Sequence, residues 1–551
     1  MTNPDSNVLE LLLADISGAR VLNGGLDAAS AERPPLPDKV PPGVDAMKLD
    51  APDADPNDLS CQRWGIIIPD TKAGDAMLEA ITPLCKLRAA EQGGIEPRVF
   101  RARPGMNVQE AFHWKNDVLR DEDRLPADER PRYLLILGDL DGVSAELGYV
   151  LANGSFVGRI HFDDSPGYAA YAEKVVRLAK EPTSFARARA DFLVAQDDSP
   201  ETRKADLQLV EPCRELALRR RSRPFAGDMG DTRYVSTVRE VLNHCASEQP
   251  RVLLSVGHGI GRSAKYPWAS VSEQRRLQGA LLLDATGGPE NTLTAESVAG
   301  APFLPGGLWF MFACFGAGTP SKSAFYKWLK QLAALGRLRE SADDVLASLP
   351  VDGEKPFIAA LPKAALANPQ GPLAILGHLD LAWAYSFTNV ERGGRSQAAR
   401  IFSSLNVMVN GSRVGVAHDA LMQAYREVNH LLSSYFEERR EAEVEARPCT
   451  ITPASFAHTF MLRNDLQGYV LLGDPAVRLP LAGTKDAAKS DAEAPAPRKN
   501  VAEMEQAVLV AIAGNRRKEA IAAEHDVDVN ELDRWIDTYQ TAGREALGRM
   551  Q

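Results

Sequence analysis

The sequence predicts an α/β protein built on a mostly parallel sheet with helices on both faces, plus a small all-α module at the C-terminal end. Three observations predict it. Short continuous apolar runs recur along the chain, segments of helical periodicity separate them, and polar residues stand where several of the runs stop. Strands buried on both faces read as unbroken Val, Ile and Leu runs, and their alternation with helical segments implies a parallel sheet.

Taken in order, residues 7–30 predict one or two short helices, and 31–58, rich in Pro and Asp, reads as a linker. The runs "WGIIIP" (64–69), "RYLLILGD" (132–139), "RVLLSVGHG" (251–259), "GALLLDATGG" (279–288), "LWFMFACFG" (308–316) and "GPLAILGH" (371–378) read as buried strands, each closed by Gly or a polar residue. Amphipathic segments such as 168–180 and 322–336 supply the covering helices. A second low-complexity stretch, 482–500, sets apart the tail. The predicted organisation is an N-terminal helix and linker (1–58), a first α/β subdomain with an insertion (59–250), a second one that carries the candidate site (251–481), a linker (482–500) and a small helical module (501–551).

The chain has 551 residues, 44% apolar and 25% charged, the balance of ordinary globular protein with sizeable cores. Its formal net charge of −11 argues against a nucleic-acid footprint for the whole chain. The start, "MTNPDSNVLELLLADISGAR", has neither the basic n-region nor the apolar length of a secretory signal. No run approaches the roughly 18 to 20 apolar residues of a membrane span, so no membrane partner is expected. The six cysteines (61, 85, 213, 245, 314 and 449) are scattered without a C-x-x-C pair. That pattern suits reduced thiols in a cytoplasmic protein and implies neither a zinc site nor another cofactor.

In open α/β sheets ligands sit at the carboxyl ends of the strands. Asp139, His258, Cys314 and His378 all fall at such ends. Cysteine catalysis needs a thiolate, an imidazole and backbone N–H donors for an oxyanion. "LLSVGHG" and "FMFACFG" supply these from two strands separated by 314 − 258 = 56 residues, room for one crossover with an insertion. Gly259 has no side chain to obstruct its N–H, and the N–H of Cys314 is the natural second donor. Singly, each residue has a plainer reading: a strand-end cysteine as a small hydrophobe, a strand-end histidine as a hydrogen-bonded surface group. Cys85 and Cys213 fall on predicted helices and Cys449 in a loop.

An apolar strand ending in His-Gly, followed by one ending in Ala-Cys and small residues, resembles the signature of clan CD cysteine peptidases: caspases, legumains, separase, CHAT-domain peptidases and gingipains. Within the clan the chain looks most like the gingipain family. "PRYLLILGDLDGVSAELGYVLANGSFVGRIHF" (131–162), "GYAAYAEKVVRLAKEP" (167–182), "PQGPLAILGHLDLAWAYSF" (369–387) and "YVLLGDPAVRLP" (469–480) are similar to its segments in the same order, covering about residues 60–480. The resemblance implies a caspase-like sheet, Cys314 as nucleophile, His258 as general base and acid, and Gly259 and Cys314 as oxyanion donors, with no third triad member. It implies Trp383 as a wall of the primary specificity pocket. It also offers Glu146, at the family's D-x-x-Y position, or Asp163 as an acid that would favour a basic residue before the scissile bond. His378 and Asp474 are read as structural. The basic run at 214–228 is a solvated segment or, under a basic preference, a self-cleavage site; Arg223 is a poor one because Pro224 follows.

In the tail, Ile521, Val527, Leu532, Trp535 and Ile536 fit a helix-turn-helix-like core. Six basic residues against ten acidic ones from 501 onward, with Glu531, Asp533 and Asp537 on the would-be recognition helix, favour a protein partner over DNA. The expectation is a bacterial-type cytoplasmic cysteine endopeptidase acting on protein or peptide substrates without a metal, regulated by a partner at 501–551. The rival expectation is a non-catalytic caspase-like scaffold that recruits protein or DNA partners through its tail.

Overall fold

The computed structural model describes residues 55–482, apart from 220–224, 337–341 and a few single positions, together with 8–9, 13–15, 26–27, 518, 532 and 536. A ten-stranded sheet organises it. In chain order the strands are β1 (Trp64–Pro69), β2 (Arg98–Ala102), β3 (Tyr133–Leu137), β4 (Phe156–Ile160), β5 (Arg189–Ala195), β6 (Asp228–Val235), β7 (Arg251–Val256), β8 (Leu308–Phe312), β9 (Ala374–His378) and β10 (Tyr469–Gly473). Across the sheet they lie in the order β2-β1-β3-β4-β10-β9-β8-β7-β5-β6. The pairings are parallel throughout each half, as the apolar runs predict. β10 runs antiparallel to β9 and bridges to β4 at Leu472 and Arg159.

The period of two along each strand divides its side chains between two cores. Ile66, Ile68, Leu135 and Leu137 join the larger core, and Ile67, Leu134 and Ile136 the smaller one on the opposite face. Helix Ser165–Lys180 covers the first face. Asp164 caps it by accepting from the Gly167 N–H, Pro166 lies in its first turn, and Tyr168, Tyr171, Ala172 and Val175 are buried. Helix Ala145–Ala152, capped by Ser144, presses Leu147, Val150 and Leu151 onto the other. Asp474, just past β10, accepts from Arg88 Nε and Trp64 Nε1, and its own N–H donates to Tyr171. It pins the turn that closes the sheet, the structural role its sequence context suggests.

Three elements differ from expectation. The described residues within 7–30 are strands where helices are predicted: Val8–Leu9 pairs with Leu26–Asp27, and Leu13–Asp15 pairs with His258–Gly261. Local apolar periodicity predicts a helix there, but pairing with distant backbone decides. The 279–288 run contributes only Leu281–Leu282, which joins a small side sheet with His258–Gly261 and Thr292–Leu293. β6, "DMGDTRYV", is an edge strand with a largely open face, and its polar composition hid it.

By compactness the chain divides into two units, 1–486 and 487–551. In the second, Lys518, Leu532 and Ile536 are helical, and Leu532 and Ile536 are buried at a spacing that puts them on one helix face. The remainder of the predicted tail core, the linkers at 31–54 and 483–500, and the Arg223–Pro224 segment lie outside the described residues. Among the described residues no helix is long and apolar enough to cross a membrane.

Candidate active site

β7 and β8 are adjacent and in register, Val256 opposite Phe312, and the Gly257 N–H donates to the Phe312 carbonyl. Their continuations therefore leave the same edge of the sheet side by side. The contact is tight: a Cβ on Gly259 would stand 1.8 Å from the Cys314 carbonyl oxygen. Glycine is required here because any side chain would push the Cys314 backbone away. Both His258 and Cys314 are 0% exposed.

The turn after Cys314 is built to hold the sulfur still. Phe315 adopts a left-handed backbone (φ 56°), an uncommon and costly state for a bulky residue. Neighbouring bonds enforce it: Phe315 N–H donates to Asp380 O, and Ala317 N–H to His378 O. The same 378–382 segment reaches the thiol. The Ala382 N–H lies 3.3 Å from Cys314 Sγ, placed to donate to a thiolate. Trp383 comes next, 0% exposed, its ring against Phe325 and its backbone N–H donating to Asp465 Oδ1.

Behind His258 stands a group that sequence reasoning missed. Past the end of β5, Asp197 and Ser199 meet the imidazole: Nε2 is 3.0 Å from Ser199 Oγ and 3.5 Å from Asp197 Oδ2. Thr202 Oγ1 donates to Asp197 Oδ1 at 2.6 Å, and Ser199 Oγ lies 2.9 Å from Thr202 Oγ1. Each hydroxyl has one proton. With the Thr202 proton on the carboxylate, Ser199 donates to Thr202 and accepts from His258 Nε2–H. In that arrangement Nε2 carries the proton, and Nδ1 is the nitrogen through which the ring could serve a thiol. The signal was present in "AQDDSPETR", a strand end running straight into a Ser-Pro helix cap.

His378, the other strand-end histidine, is structural. Its Nδ1 faces Asp380 O at 3.2 Å and its Nε2 faces Asp465 O at 2.8 Å, with Asp465 Oδ1 at 3.3 Å. Burial alone would lower its pKa; the bonds and charge of Asp465 overcome this and raise it. Asp380 is buried and its carboxyl is pushed up to about 6 by desolvation, against the N–H bonds from Leu381 and Ala324.

The two candidate specificity acids lie elsewhere on this edge. Asp163, beyond β4, is 78% exposed and paired with Lys363 Nζ at 2.6 Å; burial would raise its carboxyl, but the Lys363 bond and charge hold it below the usual range. β10 and β9 separate β4 from β8, about 14 Å at the usual strand spacing. Glu146 sits in the first turn of helix Ala145–Ala152, largely buried, its carboxyl raised by desolvation despite Arg159. Among the described residues no cluster of three or more His, Cys, Asp or Glu could hold a metal ion.

No family model matches the chain. No curated protein matches it either. Among solved structures it is similar to the Arg-specific cysteine proteinase gingipain R (RgpB), at 10% identity and a TM-score of 0.38, over 76% of this chain and 78% of that one. It is likewise similar to the complex of the Porphyromonas gingivalis RgpB pro- and mature domains, at 11% identity and a TM-score of 0.40, over 76% and 79%. At such scores the site must be argued from the chain's own residues.

Proposed function

We propose that the chain is a cysteine peptidase acting through Cys314 and His258. The observation that carries this reading is the convergence of two strand ends on one point. One presents a thiol on a strained, hydrogen-bonded turn beside a backbone N–H donor; the other presents an imidazole whose far nitrogen is fixed by Ser199 and Asp197. In acylation the Cys314 thiolate adds to a peptide carbonyl. The oxyanion takes the Gly259 and Cys314 N–H groups, and His258 Nδ1–H protonates the leaving amine. Water, deprotonated by the same nitrogen, releases the acid and restores the thiol. Trp383, next in the chain to the thiol's backbone donor, walls the pocket for the residue before the scissile bond. Glu146 or Asp163 is the acid that would favour a basic residue there; Asp163 is already paired with Lys363 and stands strands away from Cys314.

Peptide-library profiling of the wild type against Cys314→Ala, with a peptidyl electrophile as active-site label, tests the reading. Cleavage and labelling should both vanish in the variant. Equal cleavage by both would sink it. One observation favours a second reading, a non-catalytic scaffold: neither His258 nor Cys314 is exposed. On that reading the wild type neither cleaves the library nor takes the label.

A further inference from the structure

The Phe315 N–H, in the left-handed turn after Cys314, donates to the Asp380 carbonyl at 2.9 Å. The side chain of the same residue aims that carbonyl. Asp380 Oδ1 accepts the Leu381 N–H at 2.8 Å. In a trans peptide the N–H and the C=O point in opposite directions. With the Leu381 N–H drawn back onto the carboxylate, the Asp380 carbonyl faces the other way, towards Phe315. One residue further on, the Ala382 N–H meets Cys314 Sγ at 3.3 Å. The residue after the thiol and the thiol's backbone donor thus both depend on how the 380–381 peptide is turned.

The second carboxylate oxygen reaches another segment. Oδ2 accepts the Ala324 N–H at 2.8 Å, and the Ser323 hydroxyl bonds to the same carboxyl. Phe325 follows, buried, its ring 5.8 Å from that of Trp383. Resting on the peptidase reading, we propose that Asp380 is a positioning residue of this site: its carboxylate ties 380–382 to 323–325 and so fixes the Cys314 thiol against the substrate carbonyl.

The chemistry of the position suits that role. Asp380 is buried, where a charge is costly, and desolvation pushes its carboxyl up to about 6. An apolar side chain would avoid that cost but leave two buried N–H groups unmet. An amide would present an acceptor at only one of the two oxygen positions, and a donor at the other. A carboxylate alone meets the Leu381 and Ala324 N–H groups at once. Strain such as that at Phe315 persists only where its surroundings over-determine it, and Asp380 is the part of those surroundings that carries a removable charge.

The test compares the full-length wild type with Asp380→Asn and Ser323→Ala. Steady-state hydrolysis of a peptide substrate is measured, together with the rate of Cys314 alkylation by iodoacetamide, followed by mass mapping. In Asp380→Asn we expect kcat to fall by roughly 10²-fold, the cost of misplacing a reacting group by about an ångström, with KM little changed. Alkylation of Cys314 should slow several-fold. Ser323→Ala leaves both N–H bonds in place and should lower kcat and alkylation by a few-fold; it decides alone if Asp380→Asn does not fold. Unchanged kcat and alkylation, with any loss confined to the melting temperature, overturn the inference and leave the peptidase reading standing. A rise in KM alone overturns it too, since Asp380 would then serve only the wall behind Trp383. If the wild type hydrolyses no peptide, the peptidase reading falls and alkylation judges the rest: slower in the variants upholds the hold of Asp380 on the thiol, and equal rates overturn it.

Discussion

Asp197 stands directly behind His258, its Oδ2 3.5 Å from Nε2, and the Ser199 hydroxyl lies 3.0 Å from the same nitrogen. The pair belongs to the end of β5, the strand flanking β7 on the side away from Cys314. The imidazole is thus fixed from one side and would act on the other.

From this follows a prediction about positioning. Asp197→Asn keeps the shape but removes the charge that stabilises an imidazolium. We expect kcat to fall with KM little changed, by up to the roughly 10²- to 10⁴-fold that positioned acid–base catalysis contributes. The acidic limb of the pH–rate profile should move with it. Ser199→Ala should cause a smaller loss of the same kind. Steady-state kinetics across pH decide. An effect confined to thermal stability would assign Asp197 a purely structural role.

Gly259 supplies a second prediction. A methyl group there meets the Cys314 carbonyl at 1.8 Å and the carbonyl carbon at 2.8 Å, both rigid backbone. Gly259→Ala should cost about 1–3 kcal/mol, the usual penalty for overpacking, and displace Cys314. Gly300→Ala is the control, since nothing lies within 4 Å of a Cβ there. Denaturant midpoints and peptide hydrolysis should both separate the two variants.

The third concerns pH. The folded pKa of His378 is raised above its ordinary value, through Asp465. A proton held more tightly in the folded state stabilises it below the unfolded pKa of about 6.5, and that contribution is lost as pH rises through the higher folded value. Stability should therefore decline from just below neutrality upward. Asp465→Asn should flatten that decline, which urea unfolding at a series of pH values measures. An equal slope in the variant would show that the imidazolium is not held there.

Thiol titration gives the fourth. Cys61 and Cys449 are exposed and should react first with a small disulfide reagent. Cys213 and Cys245 are buried, and desolvation pushes the Cys245 thiol up to about 12 and that of Cys213 higher still, so both should stay inert until unfolding. Cys314 should react between these two groups. Mass-spectrometric mapping over time reads the order.

The parallel sheet was legible because β1, β7, β8 and β9 are buried on both faces, leaving no polar alternation to confuse the period. The convergence of His258 and Cys314 was legible for a related reason: polar residues that interrupt such runs are conspicuous. β6 was not, since its exposure is set by its place at the sheet edge, which no local pattern records. Leu13–Asp15 was read as helix because its partner lies some 245 residues away. Asp197 was overlooked for want of a spatial argument: its sequence says only that a strand ends and a helix is capped, and β5 itself was not among the predicted strands.

β10 is the last strand among the described residues and lies in the middle of the sheet, between β4 and β9. Until residues 469–473 leave the ribosome the two half-sheets have no common neighbour. Cys314 emerges 473 − 314 = 159 residues earlier, a lead on the order of ten seconds at ordinary elongation rates. A nascent chain in that interval carries the thiol without a finished sheet around it. The order of synthesis thus leaves the Cys314 turn on an unfinished sheet until β10 joins the two halves.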